Sequence, residues 1–215
     1  MEKTIKSFLS VANYHLIEQQ LNKLLNAYTT TKDKNVLQAV KGLVENEIFN
    51  AIDPSEEQTK LIEPLYTITE RQQGDSFLQS LKPYVIPFYQ ISTAELKKLF
   101  RKEKKLKLPN LEDLDFQHIC YLNWDDTQTH RKYIVIEDEG NLKALKGTMS
   151  TKVIKGVCSI CNHHGDVSLF TTKTKGQTAE TFTKYSNYIC INGEQCNHNI
   201  SDHAKLIEFF TRISE

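Results

Sequence analysis

Two pairs of cysteines constrain the last third of this chain more than any other feature. Cys158 and Cys161 enclose two residues in KGVCSICN, Cys190 and Cys196 enclose five in CINGEQC, and 28 residues separate the pairs. Four thiolates can surround one zinc ion in a tetrahedron with bonds of about 2.3 Å, and a two-residue gap lets a tight knuckle aim both sulfurs inward. The first pair fits that demand and the second is looser. Between them, VSLFTTK and TFTKYSNYI flank the polar stretch TKGQTAE, the pattern of a hairpin whose second strand delivers Cys190. After Cys196 a helix is predicted from about Ser201, with Leu206, Ile207, Phe210 and Ile213 on its core side. Knuckle, hairpin and helix in this order make a treble-clef type module with one structural zinc.

Other readings of the same residues stand beside this one. His163, His164, His198 and His203 crowd the neighbourhood, so a histidine could take the place of Cys190 or Cys196. A redox CxxC would sit at the start of a helix after a strand, inside a longer α/β pattern than this one. Buried thiols without metal are a further alternative. Four thiolates would fill the coordination shell and leave no position for water or substrate, which argues against Lewis-acid catalysis.

The rest of the sequence narrows the class. Lys plus Arg and Asp plus Glu number 27 each, so the chain is neutral overall and gives no ground for DNA or a membrane as partner. No apolar run approaches the roughly 18 residues that span a bilayer, and five cysteines are too few, and odd in number, for a disulfide framework. The cytoplasm is the expected location. Cys120 reads as a small core side chain. The motifs GxxxxGK[ST], HExxH and GxSxG are absent, and adjacent Asp125 and Asp126 would diverge on a strand, so no enzyme is expected.

Helical periodicity fills the first third: Leu16, Leu21, Leu24, Leu25 and Tyr28, then Val36, Val40, Leu43, Val44 and Ile48, then Leu61, Ile62, Leu65 and Ile68. The polar stretch around Gly74 marks the largest shift in composition. It divides the chain into a helical domain at 1–73 and an α/β domain at 74–215, with the zinc module at about 151–215, an α+β protein overall. A helix is predicted over 93–105, where Lys97, Lys98, Arg101, Lys102, Lys104 and Lys105 oppose Leu96, Leu99 and Phe100. That run suits ribosomal RNA phosphates, an acidic protein face, or solvent alone. Strands are predicted at 119–124 and 132–139, followed by a turn at Glu139-Gly140-Asn141 and a strand ending at Gly147. Near the metal, Lys184, Tyr185, Tyr188 and Phe209 form a candidate partner-binding patch. Phe209 and Phe210 are consecutive on a helix, which would leave one of them toward solvent.

With these motifs in view, NWDDTQTHRKYIVIEDE, KGVCSICN, VSLF and NYIC together resemble the FusB/FusC family of fusidic acid resistance proteins. The resemblance implies a helical N-terminal domain and a C-terminal domain with a four-cysteine zinc finger. It also implies a partner, translation elongation factor G, released from ribosomes on which fusidic acid has stalled it, with the drug unmodified. The family's ligands fall on Cys158, Cys161, Cys190 and Cys196, and its factor-binding aromatics on Tyr188 and Phe209. Tyr185 occupies the offset of a family lysine, so Lys184 is the nearest basic residue, and Val157 stands where the family has an aromatic before the first cysteine. The alternative implied by the residues alone is a zinc-containing module that binds ribosomal RNA.

Overall fold

The computed structural model describes residues 5–175 and 182–214, and these divide into two compact units, Met1–Ile86 and Pro87–Glu215.

In the first unit, a two-residue strand β1 (Leu9–Ser10) runs into helix α1 (Val11–Thr30), started by the Ser10 hydroxyl accepting from the Asn13 amide. The buried residues of α1 are apolar apart from His15 and the hydroxyl of Tyr14, and Ile17, Leu21 and Leu24 are almost wholly buried. Helix α2 (Lys34–Ile52) begins where the Asp33 carboxylate accepts from the Asn35 amide at 2.8 Å and stops where Asp53 turns left-handed at φ 46°. It buries only Val44 and Ile48 and leaves Leu43 exposed. Helix α3 (Glu56–Ile62) starts with a capping box between Ser55 and Gln58. Helix α4 (Arg71–Leu81) then buries Phe77, Leu78 and Leu81, and strand β2 (Val85–Ile86) pairs in parallel with β1.

The boundary expected at Gly74 is corrected here. Gly74 lies inside α4 and donates its amide to the Glu70 carbonyl, and a Cβ there would meet Leu21 Cδ2 of α1 at 3.1 Å. The polar ERQQGDS stretch is the exposed start of a helix whose later turns supply the core, so composition shifted there without a change of domain. The division falls after β2.

The second unit opens with helix α5 (Thr93–Leu99), held by a capping box in which Ser92 accepts from the Glu95 amide and donates its own amide to the Glu95 carboxylate. The helix is shorter than the 93–105 expected. Phe100 leaves helical geometry at φ −106°, ψ 35° and drives its ring edge-on against Trp124 at 5.5 Å and Tyr133 at 5.2 Å, while those two rings stack at 5.0 Å. Repulsion among lysines one turn apart gives the helix little reason to continue past that point.

Five antiparallel strands follow in sequence order: β3 (Leu122–Asp126), β4 (Arg131–Asp138), β5 (Asn141–Val157), β6 (His164–Lys175) and β7 (Phe182–Cys190). Glu139 and Gly140 make the predicted tight turn, both at positive φ. Strand β5 does not end at Gly147. It runs on through an irregularity between Met149 and Val153, and Gly147 is needed because any Cβ would lie 2.4 Å from the Phe170 ring. Most of TKGQTAE, the predicted hairpin turn, lies outside the described residues. Helices α6 (Gly193–Asn199) and α7 (His203–Ser214) close the chain. The architecture is α+β, helices first and a mostly antiparallel sheet after. Among the described residues no helix is long and apolar enough to cross a membrane.

Candidate functional site

The four cysteines converge. Sγ of Cys158 lies 3.7 Å from that of Cys196, Sγ of Cys161 lies 3.7 Å from that of Cys190, and all four fall within 4.8 Å of one another. A tetrahedron with metal–sulfur bonds of about 2.3 Å has edges of about 3.8 Å, so the cluster is the size that zinc requires. All four are buried, and among the described residues the group includes no histidine. His163 instead sets Nδ1 3.1 Å from the Cys161 carbonyl. The protein holds one structural zinc on Cys158, Cys161, Cys190 and Cys196.

Local sequence explains the convergence. The Asn162 amide donates to the Cys158 carbonyl at 2.9 Å, and Asn162 takes φ 58°, which folds CSIC back so that the Cys158 amide meets the His163 carbonyl. Inside this knuckle the amides of Ile160 and Cys190 point at Cys158 Sγ, at 3.4 and 3.3 Å. Those donors favour a thiolate. The crowded sulfurs compete for charge. Hydrogen bonding from Cys161, then from Cys190 and Cys196, holds Cys158 far below the usual thiol range, whereas Cys158 and Cys161 push Cys196 far above it. A divalent cation resolves that competition by taking all four as thiolates. Cys120 stays outside the cluster, and burial pushes its thiol up to about 12, so it is an unreactive core group as expected.

Cys196 arrives on α6, whose first turn is capped by Asn192 accepting from the Gln195 amide at 2.9 Å. Gly193 permits the helix to dock: a Cβ there would sit 1.7 Å from Asn123 Oδ1 on β3. Gly193→Ala therefore lowers stability in a denaturant titration by about 1–3 kcal/mol, the usual cost of forcing a methyl into a packed site. Adding Asn123→Ala recovers most of that loss. A single variant as stable as the parent would contradict the packing argument. Next to Cys196, Asn197 is 3% exposed and hydrogen-bonds the backbone of Cys120 and Tyr121. No sequence signal marked this residue.

The candidate partner patch is partly redrawn. Strand β7 is the sheet edge, and its residues alternate between faces. Lys184 and Tyr188 share one face, paired across the sheet with Lys173 and Leu169, and Tyr188 is 43% exposed. Phe182, 64% exposed, continues that face. Tyr185 points to the other side, beside buried Thr172 and on the face of buried Ile189. Phe209 is not on the surface. It is 1% exposed and Phe210 2%, their rings edge-on at 6.0 Å, so the expectation that one would face solvent fails. The terminal helix is enclosed broadly enough to take both azimuths into the core. Val157 is 53% exposed beside the knuckle.

A family model described as elongation factor G-binding protein, N-terminal, matches residues 8–89, and one described as FBP C-terminal treble-clef zinc-finger matches residues 92–211. The chain is also similar to a solved structure of the fusidic acid resistance protein FusC, with 31% identity and a TM-score of 0.84, over 99% of this chain and 100% of that one. A comparison with curated proteins gives no match.

Proposed function

The chain belongs to the family of elongation factor G-binding proteins, and from that premise we propose that it binds elongation factor G and frees the factor from ribosomes stalled by fusidic acid. The observation that carries this reading is the position of Tyr188, exposed two residues before a zinc ligand on an edge strand, with Lys184 on the same face. A metal-anchored strand offers an aromatic ring and a cation already in place, so little ordering is lost on contact. Tyr188 also gives its carbonyl to the Ser159 amide at 2.8 Å, which ties its backbone to the metal knuckle.

The mechanism needs no covalent step, and the protein acts as a binding partner, not as an enzyme. Bound elongation factor G exchanges between ribosome-retained and release-competent states. A ligand shifts that exchange only by its difference in affinity for the two, tenfold for about 1.4 kcal/mol. The zinc's share is structural: it fixes strand and knuckle. Lys184 and Tyr188 meet the factor, Tyr185 braces the strand from its inner side, and Phe209 holds the terminal helix.

Tyr188→Ala weakens binding to isolated elongation factor G by roughly 2 kcal/mol or more if Tyr188 is a central anchor, with zinc content unchanged. Calorimetry on the purified pair measures it. Equal affinity for parent and variant would take Tyr188 out of the interface.

A further inference from the structure

The geometry points to a second contact surface: the cationic turn after α5 binds the phosphate backbone of RNA, independently of the Tyr188 face. Residues 97–107 carry seven cations and one acid, Glu103. The structure removes that acid from the surface. Glu103 is 12% exposed and is taken up by Arg131 at 2.8 Å and by Lys146. Lys97, Lys98, Arg101, Lys102, Lys104 and Lys105 all remain exposed. A chain that is neutral overall therefore concentrates positive charge in one short segment, with Glu95 of the preceding turn beside Lys98 and Arg101.

The segment is held in place. Phe100 anchors its start in the aromatic cluster, and the Trp124 indole donates to the Lys107 carbonyl at 2.8 Å near its end. The cations come in pairs, at 97 and 98 on the last turn of α5 and at 101 and 102 and 104 and 105 between these two points. Beside Arg101, a recess of about 250 Å³ is lined by Leu99, Phe100, Lys102, Lys146 and the ion-paired Glu103. Arginine forks grip carboxylates and phosphates alike in pairs. Five of these six are lysines, point charges on flexible stems, suited to phosphates whose positions repeat without regard to sequence. The choice of RNA over another polyanion rests on the ribosomal reading above.

The test uses the full zinc-loaded chain and a fluorescein-labelled RNA hairpin, with anisotropy followed across a salt series. Each phosphate neutralised contributes about −0.7 to −0.9 to the slope of log affinity against log salt. The quadruple variant Arg101→Gln, Lys102→Gln, Lys104→Gln, Lys105→Gln loses at least tenfold in affinity, and its slope falls by about 3. A control with Lys23, Lys32, Lys34 and Lys60 changed to Gln leaves the slope unchanged. Affinity for isolated elongation factor G, measured in parallel, stays at the parent value in the quadruple variant. If the parent binds RNA in this way but fails to bind elongation factor G, the surface stands and the proposed function falls. The surface is overturned if the parent does not bind the hairpin at low salt, or if both variants lose affinity equally. It is also overturned if the quadruple variant loses elongation factor G and keeps RNA, because its cations would then face protein.

Discussion

Chelation of the zinc, or replacement of Cys158 and Cys161 by serine, removes the helical signal of α6 and α7 and the affinity for elongation factor G, while Trp124 emission changes little. The size of the effect follows from magnitudes. Metal binding in small zinc modules contributes on the order of 10 kcal/mol that becomes folding free energy, and a domain's whole stability is about 5–15 kcal/mol. Nothing else among the groups around the knuckle compensates for such a loss, since a serine pair leaves Cys190 and Cys196 with half a coordination shell. The sole tryptophan reports on a different part of the unit. Trp124 sits in the cluster of Phe88, Ile91, Leu96, Phe100, Tyr133 and Val135, held by apolar packing and the indole hydrogen bond to Lys107 and by none of the four zinc ligands. Circular dichroism, tryptophan fluorescence and a metal assay on the same samples separate the two parts. A metal-free protein with its full helical signal and thermal midpoint would show that the cysteines are ordinary buried thiols.

How much of this was legible in the sequence depended on how local the governing physics is. Metal ligation by CSIC is nearly a property of four consecutive residues, so spacing alone identified the centre, and Glu139-Gly140 announced its turn for the same reason. Strand alternation is also local. Applied to β7 it separates Tyr185 from Lys184 and Tyr188, a distinction that grouping by proximity in sequence had blurred. The failures all needed a partner distant in the chain. Gly74 reads as a domain boundary because its burial comes from Leu21, and Gly147 as a strand end because its reason is Phe170. Phe209 was placed at the surface on helix azimuth, yet azimuth says which directions a residue faces and not how far around the helix the protein extends. The basic run misled in a different way: its charges read correctly, but the disposal of Glu103 on Arg131 and Lys146 is visible only when β4 and β5 lie alongside.

Asn197 is the extreme case of that distance, and its removal should have the second largest effect. Its carboxamide lies 3% exposed. The oxygen accepts from the amides of Cys120 at 2.7 Å and Tyr121 at 3.1 Å, and the nitrogen donates to the carbonyls of Tyr121 at 3.0 Å and Gly193 at 3.3 Å. One side chain thereby satisfies the backbone just before β3, where the chain has not yet entered the sheet ladder, and joins it to the helix that carries Cys196. Asn197→Ala leaves two amides and a carbonyl buried without these partners, at about 1–3 kcal/mol for each group left unsatisfied. Even with partial relaxation the sum is at least about 3 kcal/mol, a large part of what a domain has. The loss differs in kind from that of a cysteine. The four sulfurs remain, so zinc still binds, but α6 is no longer pinned and a chromophoric chelator strips the metal faster than from the parent. Denaturant titration and chelator kinetics test both halves. If Asn197→Ala were as stable as the parent and held its zinc as long, α6 would owe its position to the metal alone.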